Sequence, residues 1–241
     1  MSTFEGEALI PSHDALCAVH QPPKLSSEAR RLFWNIDGPL ESIVHIMATE
    51  RDTSSLEPYF QDHAWHPFSQ AALTEPKVSS MTVVVDDLNE WEDVWLECHR
   101  EHTDPECADE VEEGETDPDT HWGLLPDDYD PASDENGPLH LLKCCGTQRP
   151  RGKTIIVVVR PAVGSFVTIH DYLLTVHPLL LSSRADLLSA MGDVMENEPL
   201  ASETRLMVDY HMPHHLVIRE QDDWIREVSR PPHPFLASMA T

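Results

Sequence analysis

Cys98, His99, His102 and Cys107 sit close together in the chain, and thiolates and imidazoles at short spacing are the ligands that zinc prefers. The adjacent Cys144 and Cys145 offer further sulfurs. Cys98, His102, Cys107 and Cys144 therefore make a four-ligand set, with zinc as the one cofactor the sequence suggests. Against it, no CxxC hook is present and the set borders a strongly acidic stretch. The competing reading is reduced thiols and solvated imidazoles; a metal, if bound, would itself order the loop. Cys144 and Cys145 cannot bridge to each other without strained local geometry. Five cysteines without framework spacing argue against a secreted disulfide scaffold, and the N-terminus has no basic start followed by an apolar stretch. The expected location is intracellular, cytoplasmic or nuclear.

A second histidine group is His211, His214 and His215, which His170 and His177, seven apart on one helix face, would approach. With 15 histidines in the chain some clustering arises by chance, so a turn and a half-buried helix face are the preferred account of these residues. Nucleophilic catalysis has no support. Val163 to Val167 is not a GxSxG elbow, and no serine or cysteine is paired with a local histidine signature. Gly146 to Thr154 ends in Gly-Lys-Thr, but its glycine spacing is wrong for a phosphate loop and it precedes a strand where a phosphate loop precedes a helix. No catalytic residue is assigned.

Charge says more about partners. The formal net charge is −27, and the residues from Asp86 to Glu135 carry 21 carboxylates against a single base, Arg100. Such a run repels itself and buries little apolar surface, so residues 104–137 are expected to form a disordered acidic insert. Nucleic acid is excluded as a partner because phosphate contact needs a basic face. Arg149, Arg151 and Lys153 are the one local basic cluster, expected to pair with the insert. A basic protein surface is the partner the charge fits, with Trp91, Trp95, Trp122 and Tyr129 as aromatic anchors. No apolar run is long enough to span a membrane.

The elements that must position these residues read as one α+β domain over 31–229, preceded by a flexible arm (1–30) and followed by an extended Pro-containing tail (230–241). Val78 to Val85 is β-branched and reads as a strand. Ile155 to Val159, unbroken and apolar, reads as the central strand, covered on both faces. For Trp91 to Cys98, periodicity leaves helix and strand both open. Leu40 to Ala48 is likewise open after the Asp37-Gly38-Pro39 turn. Thr168 with Asp171 forms a capping box that starts a helix expected to stop before Pro178. Ser183 with Asp186 starts a second, which Gly192 should end in the left-handed conformation. Thr204 to Tyr210 and His215 to Glu220 read as a hairpin. A mainly antiparallel sheet with two consecutive short helices packed on it follows.

Phe33 to Pro39 (FWNIDGP), Ala71 to Pro76 leading into MTVVV, and Val167 to His177 (VTIHDYLLTVH) appear in an order and spacing that resemble a fungal domain family of unknown function, over Phe33 to Gly192. The acidic segment between Glu101 and Gly137 departs from that family's compact pattern. The resemblance implies a fold and brings no activity. The functional expectation is a non-enzymatic protein-interaction domain that offers its acidic segment to basic partners. The alternative is a metal-binding protein or metal-dependent enzyme using the Cys/His groups.

Overall fold

The computed structural model describes residues 9–100, 120–125, 139–195 and 198–230. In chain order it contains α1 (His13–Ala18), β1 (Lys24–Leu25), β2 (Leu32–Trp34), α2 (Leu40–Ile43), β3 (Val44–Met47), β4 (Leu56–Pro58), β5 (Phe60–Gln61), β6 (Ala64–Trp65), β7 (Thr74–Glu75), β8 (Met81–Val85), α3 (Asp86–Asn89) and α4 (Trp91–Cys98). It continues with β9 (His121–Gly123), β10 (His140–Cys144), β11 (Thr147–Gln148), β12 (Ile156–Val159), α5 (Ile169–Ser182), α6 (Arg184–Met195), β13 (Leu206–Asp209), β14 (His215–Glu220) and α7 (Gln221–Val228). The fold is α+β and its strand pairs are mainly antiparallel.

The largest sheet has the order β12-β8-β14-β13, with one parallel pair, β14 on β8. Strand β8 alternates fully and half-buried residues and lies inside the sheet. The order overturns one expectation. Strand β12 pairs with β8 alone and forms an edge, with Ile156 59% and Val158 40% exposed. A β-branched run records strand propensity, and burial on both faces needs a second covering layer that β12 lacks among the described residues. Leu40 to Met47 settles as both readings in turn: one helical turn, α2, passes directly into β3.

Helix α5 starts at the expected capping box. Asp171 N–H donates to Thr168 Oγ1 at 3.1 Å, and Thr168 N–H donates back to the Asp171 carboxylate at 2.9 Å. It then runs through Pro178 to Ser182. The carbonyl that Pro178 deprives of a partner belongs to Leu174, which is 48% exposed, so water can replace the lost bond. The other face buries Tyr172, Leu173, Val176, His177 and Leu180 in the main core, and that packing outweighs the proline penalty.

Gly192 also departs from expectation. It lies inside α6 and is not a left-handed cap. Glycine is needed there for space: a Cβ would sit 2.1 Å from the Glu198 carbonyl oxygen and 2.6 Å from Leu200 N, where the chain folds back over the helix. Asp186, expected in a second capping box, instead pairs with Lys153 at 2.7 Å.

Residues 9–30 are packed, where a flexible arm was expected. Ser12 caps α1 by accepting from Ala15 N–H at 3.1 Å, His13 N–H donates to Ser80 O at 2.9 Å, and Leu25 and Ala29 are buried in the core. A short apolar residue every few positions suffices once β7 gives β1 a partner. The tail beyond Arg230 lies outside the described residues, as do 101–119 and 126–138 of the acidic segment.

Two substitutions test this packing. Gly192→Ala should cost more than about 2 kcal/mol in urea unfolding, because the clash is with backbone. Asp87 is half-buried beside Asp86 and Glu90, and desolvation pushes its carboxyl up from 3.8 to about 6. The folded state then binds more protons than the unfolded chain between those values, so stability falls as pH rises from about 4 to about 6. Asp87→Asn keeps an acceptor for Ile218 N–H. It should flatten that decline and raise stability at pH 7 by roughly 1–3 kcal/mol, read by urea unfolding at pH 4.5 and 7.

Candidate functional site

Glu92 and Asp93 in the first turn of α4 suit its N-terminal dipole, and the helix turns Trp95 inward. Trp95 is 2% exposed and packs with Leu141 and Cys144 of β10; Leu96 and Trp122 of β9 close over them. His99 follows four residues after Trp95, on the same face. Its backbone N–H and its Nδ1–H both donate to the Trp95 carbonyl, at 3.1 and 2.7 Å, and its ring lies 4.2 Å from that of Trp95. A carbonyl only accepts, so Nδ1 carries the proton and Nε2 is left with a lone pair.

The sulfurs come from the hairpin of β10 and β11. Cys144 pairs with Thr147 across a two-residue turn, and the turn residues Cys145 and Gly146 have φ of 49° and 83°. Both central residues being left-handed is the type I′ pattern that fits strand twist. A non-glycine residue in that region costs on the order of 1 kcal/mol. Cys145 occupies it nonetheless, and the consequence is chemical. Successive residues of a strand point to opposite faces, whereas this turn brings the Cys145 Sγ to 3.6 Å from the Cys144 Sγ. That is well beyond a disulfide bond of about 2.05 Å. The hairpin is fastened to α4 through Trp95 Nε1–H donating to Thr147 Oγ1 at 3.1 Å and Thr147 Oγ1–H donating to Cys144 O at 3.0 Å.

His99, Cys144 and Cys145 thus each place a donor atom within 4.8 Å of the others. His99 and Cys144 are buried and Cys145 is exposed, giving the cluster a dry side and an open side. Two Zn–S bonds of about 2.3 Å at a tetrahedral angle separate the sulfurs by about 3.8 Å, close to the observed spacing. A ligating histidine commonly donates its other ring N–H to a carbonyl, as His99 does.

This differs from the ligand set read from sequence. Cys144 belongs to the cluster and Cys98 does not: it is exposed on α4 and outside the three-residue group. His102 and Cys107 lie outside the described residues. His99 and Cys145, both among the candidate ligands of the sequence but left out of the four-ligand set, join Cys144 in the cluster. The i, i+4 relation of His99 to Trp95 was the available signal for the first; the Cys-Gly turn dipeptide was the signal for the second.

The aromatic anchors are likewise corrected. Trp95 is buried core and unavailable to a partner, while Trp91 and Trp122 are half-buried, packed against the main core and the Trp95 cluster respectively. Tyr129 lies outside the described residues. Arg149 pairs with Glu92 at 2.7 Å, and Glu92 also accepts from Gly152 N–H at 3.0 Å, so this basic residue serves the folded domain. The five histidines expected to converge have different partners. His177 bonds Trp34 and Gly38, His170 meets the Tyr59 hydroxyl at 3.2 Å, His211 bonds Asp209 at 2.5 Å, His215 bonds Asp86 at 2.8 Å, and His214 packs tilted against His13 and edge-on to His215.

Comparison of the chain with protein-family models, with curated proteins and with solved structures finds no match. No helix among the described residues is long and apolar enough to cross a membrane. The functional reading therefore stands on the geometry of these side chains.

Trp122→Ala tests whether the acidic segment contributes to folding through its described part. Loss of a half-buried indole from the Trp95 cluster should destabilise the chain by about 1–3 kcal/mol in urea unfolding; a change under about 0.5 kcal/mol would place Trp122 outside the packed structure.

Proposed function

We propose that the chain is a metal-stapled interaction domain, in which His99, Cys144 and Cys145 hold a zinc ion at the base of the acidic segment. The observation that carries this reading is the 3.6 Å sulfur pair gathered with an imidazole whose Nδ1–H is already committed to the Trp95 carbonyl. His99 precedes the long acidic excursion and Cys144 follows it. One ion would therefore fasten both ends of a segment of some 40 residues, whose closure otherwise costs several kcal/mol of chain entropy. Two thiolates and an imidazole supply three of the four ligands of a tetrahedral zinc site, and the fourth position faces the exposed side at Cys145.

The fastened segment supplies the partner chemistry. Its carboxylates suit a basic protein surface, and electrostatic attraction of this kind speeds encounter and weakens with salt. Nucleic acid does not fit that charge. Two thiolates held as ligands require a reducing compartment, in accord with a cytoplasmic or nuclear protein.

The test is metal content and cobalt titration of the full chain. One zinc per chain by native mass spectrometry is expected, with thiolate-to-cobalt charge-transfer absorption when Co2+ replaces it. Cys145→Ser, at an exposed turn position, should abolish both while leaving the circular dichroism unchanged; Cys98→Ser should alter neither. A reduced, folded chain that takes up neither metal at micromolar concentration overturns the proposal.

A further inference from the structure

Far from the Trp95 cluster in sequence, a cleft of about 340 Å3 opens between β3, β13, β14 and α7. Met47, Val217, Trp224 and Val228 make its apolar wall, a size and lining typical of small-molecule sites. The rim is where the cleft departs from the rest of this acidic chain. Arg30, Arg51, Arg219 and His211 meet Glu50, Asp209 and Glu227 there. Each rim carboxylate already has a cation. Glu50 pairs with Arg30 at 3.2 Å, Asp209 with both Arg219 at 3.0 Å and His211 at 2.5 Å, and Glu227 with Arg219 at 3.0 Å.

The three arginines match the three carboxylates, so a protonated His211 leaves the rim with one net positive charge. Arg51 makes no ion pair among the described residues, and the His211 ring spends only Nδ1 on Asp209. The Asp209 carboxylate beside it holds the His211 pKa above its ordinary value, so the imidazolium is favoured; Arg51 opposes this and Glu50 supports it. Arg51 adopts φ of 75°, a left-handed turn that a non-glycine residue takes at a cost. In the wall, the Trp224 indole N–H is buried without a hydrogen-bond acceptor among the described residues, although Trp224 is only 3% exposed. A buried donor of this kind is rare in folded proteins.

We propose that this cleft binds a small organic carboxylate, its head between Arg51 and His211 and its apolar body against Met47, Val217, Trp224 and Val228. The charge count favours a monoanion: one unpaired guanidinium and one singly engaged imidazole match one carboxylate. A planar guanidinium also presents two parallel N–H donors to it. The apolar wall requires that the head carry a hydrocarbon body, which separates such a ligand from inorganic anions.

The probes are octanoate, the matched alcohol 1-octanol, and inorganic phosphate, each titrated into the full chain by isothermal calorimetry and by the indole N–H resonances. Octanoate should bind and shift one indole resonance, and octanol should bind at least tenfold more weakly. Phosphate alone should leave the resonance in place. Arg51→Gln, an exposed position, should weaken octanoate at least tenfold without changing unfolding, and Arg226→Gln on the outer side of α7 should change nothing. Equal binding of octanoate and octanol, octanoate affinity unaffected by Arg51→Gln, or no binding of octanoate at millimolar concentration would each overturn the proposal.

Discussion

Trp34 is fully buried, and its indole N–H must find an acceptor there. The acceptor is Nδ1 of His177, at 3.1 Å, which obliges Nε2 to carry the ring proton and donate it to Gly38 O at 2.8 Å. The two bonds fix one neutral tautomer, and burial lowers the His177 pKa in the same direction. The imidazole joins three stretches that are distant in sequence: β2, the Asp37-Gly38-Pro39 turn and α5. Tyr172 meets the Trp34 ring edge-on with centroids 5.7 Å apart, and its hydroxyl donates to Pro213 O at 2.7 Å; the Tyr210 hydroxyl donates to Leu32 O. Asp37 completes the junction by accepting from Arg184 at 2.7 Å and from Leu206 N–H at 3.0 Å. The N-terminal hairpin, the helical pair and the C-terminal hairpin are therefore locked by polar groups inside an apolar core. Partial loss there is costly, because each remaining partner would be buried unsatisfied.

The thiol and imidazole cluster sits outside that junction, on a small apolar cluster of its own built around Trp95. Its rigidity comes from α4, which Glu92 ties to Arg149 and Gly152 beyond the hairpin. This arrangement suits a metal that fastens an appendage. The proposed ion would sit at the edge of the fold, while the Trp34 junction holds the main core independently of it.

Charge is distributed with the same division. The acidic run lies largely in one segment, and among the described residues at least half of the basic side chains are engaged with carboxylates of the domain itself. Exposed pairs of this sort contribute only about 0–1 kcal/mol each, so they shape the surface potential more than the stability. Against that negative background an unmatched Arg51 beside an apolar wall is a local contrast, and contrast of sign in a partly dry cleft is what selects an anion.

The sequence by itself determined what local chemistry can specify. Thr168 and Asp171 announced α5, the β-branched run announced β8, the irregular turn at His211 to His214 announced the β13–β14 hairpin, and α+β architecture followed from their order. Tertiary structure decided the rest, since burial and pairing are properties of neighbours remote in the chain. Propensity makes Ile156 to Val159 a strand, but only the sheet order makes it an edge. Pro178 is tolerated because packing on one face outweighs a carbonyl lost to water on the other. Trp91 to Cys98 fitted two periods, and contact with β10 chose the helix. Cysteines and histidines were visible as letters, but which of them meet depended on a left-handed turn at Cys145 and on a carbonyl of Trp95 that holds His99. Spacing hints at each, through an i, i+4 relation and a Cys-Gly turn, but does not bring them together, because spacing measures distance along the chain and coordination needs distance through space.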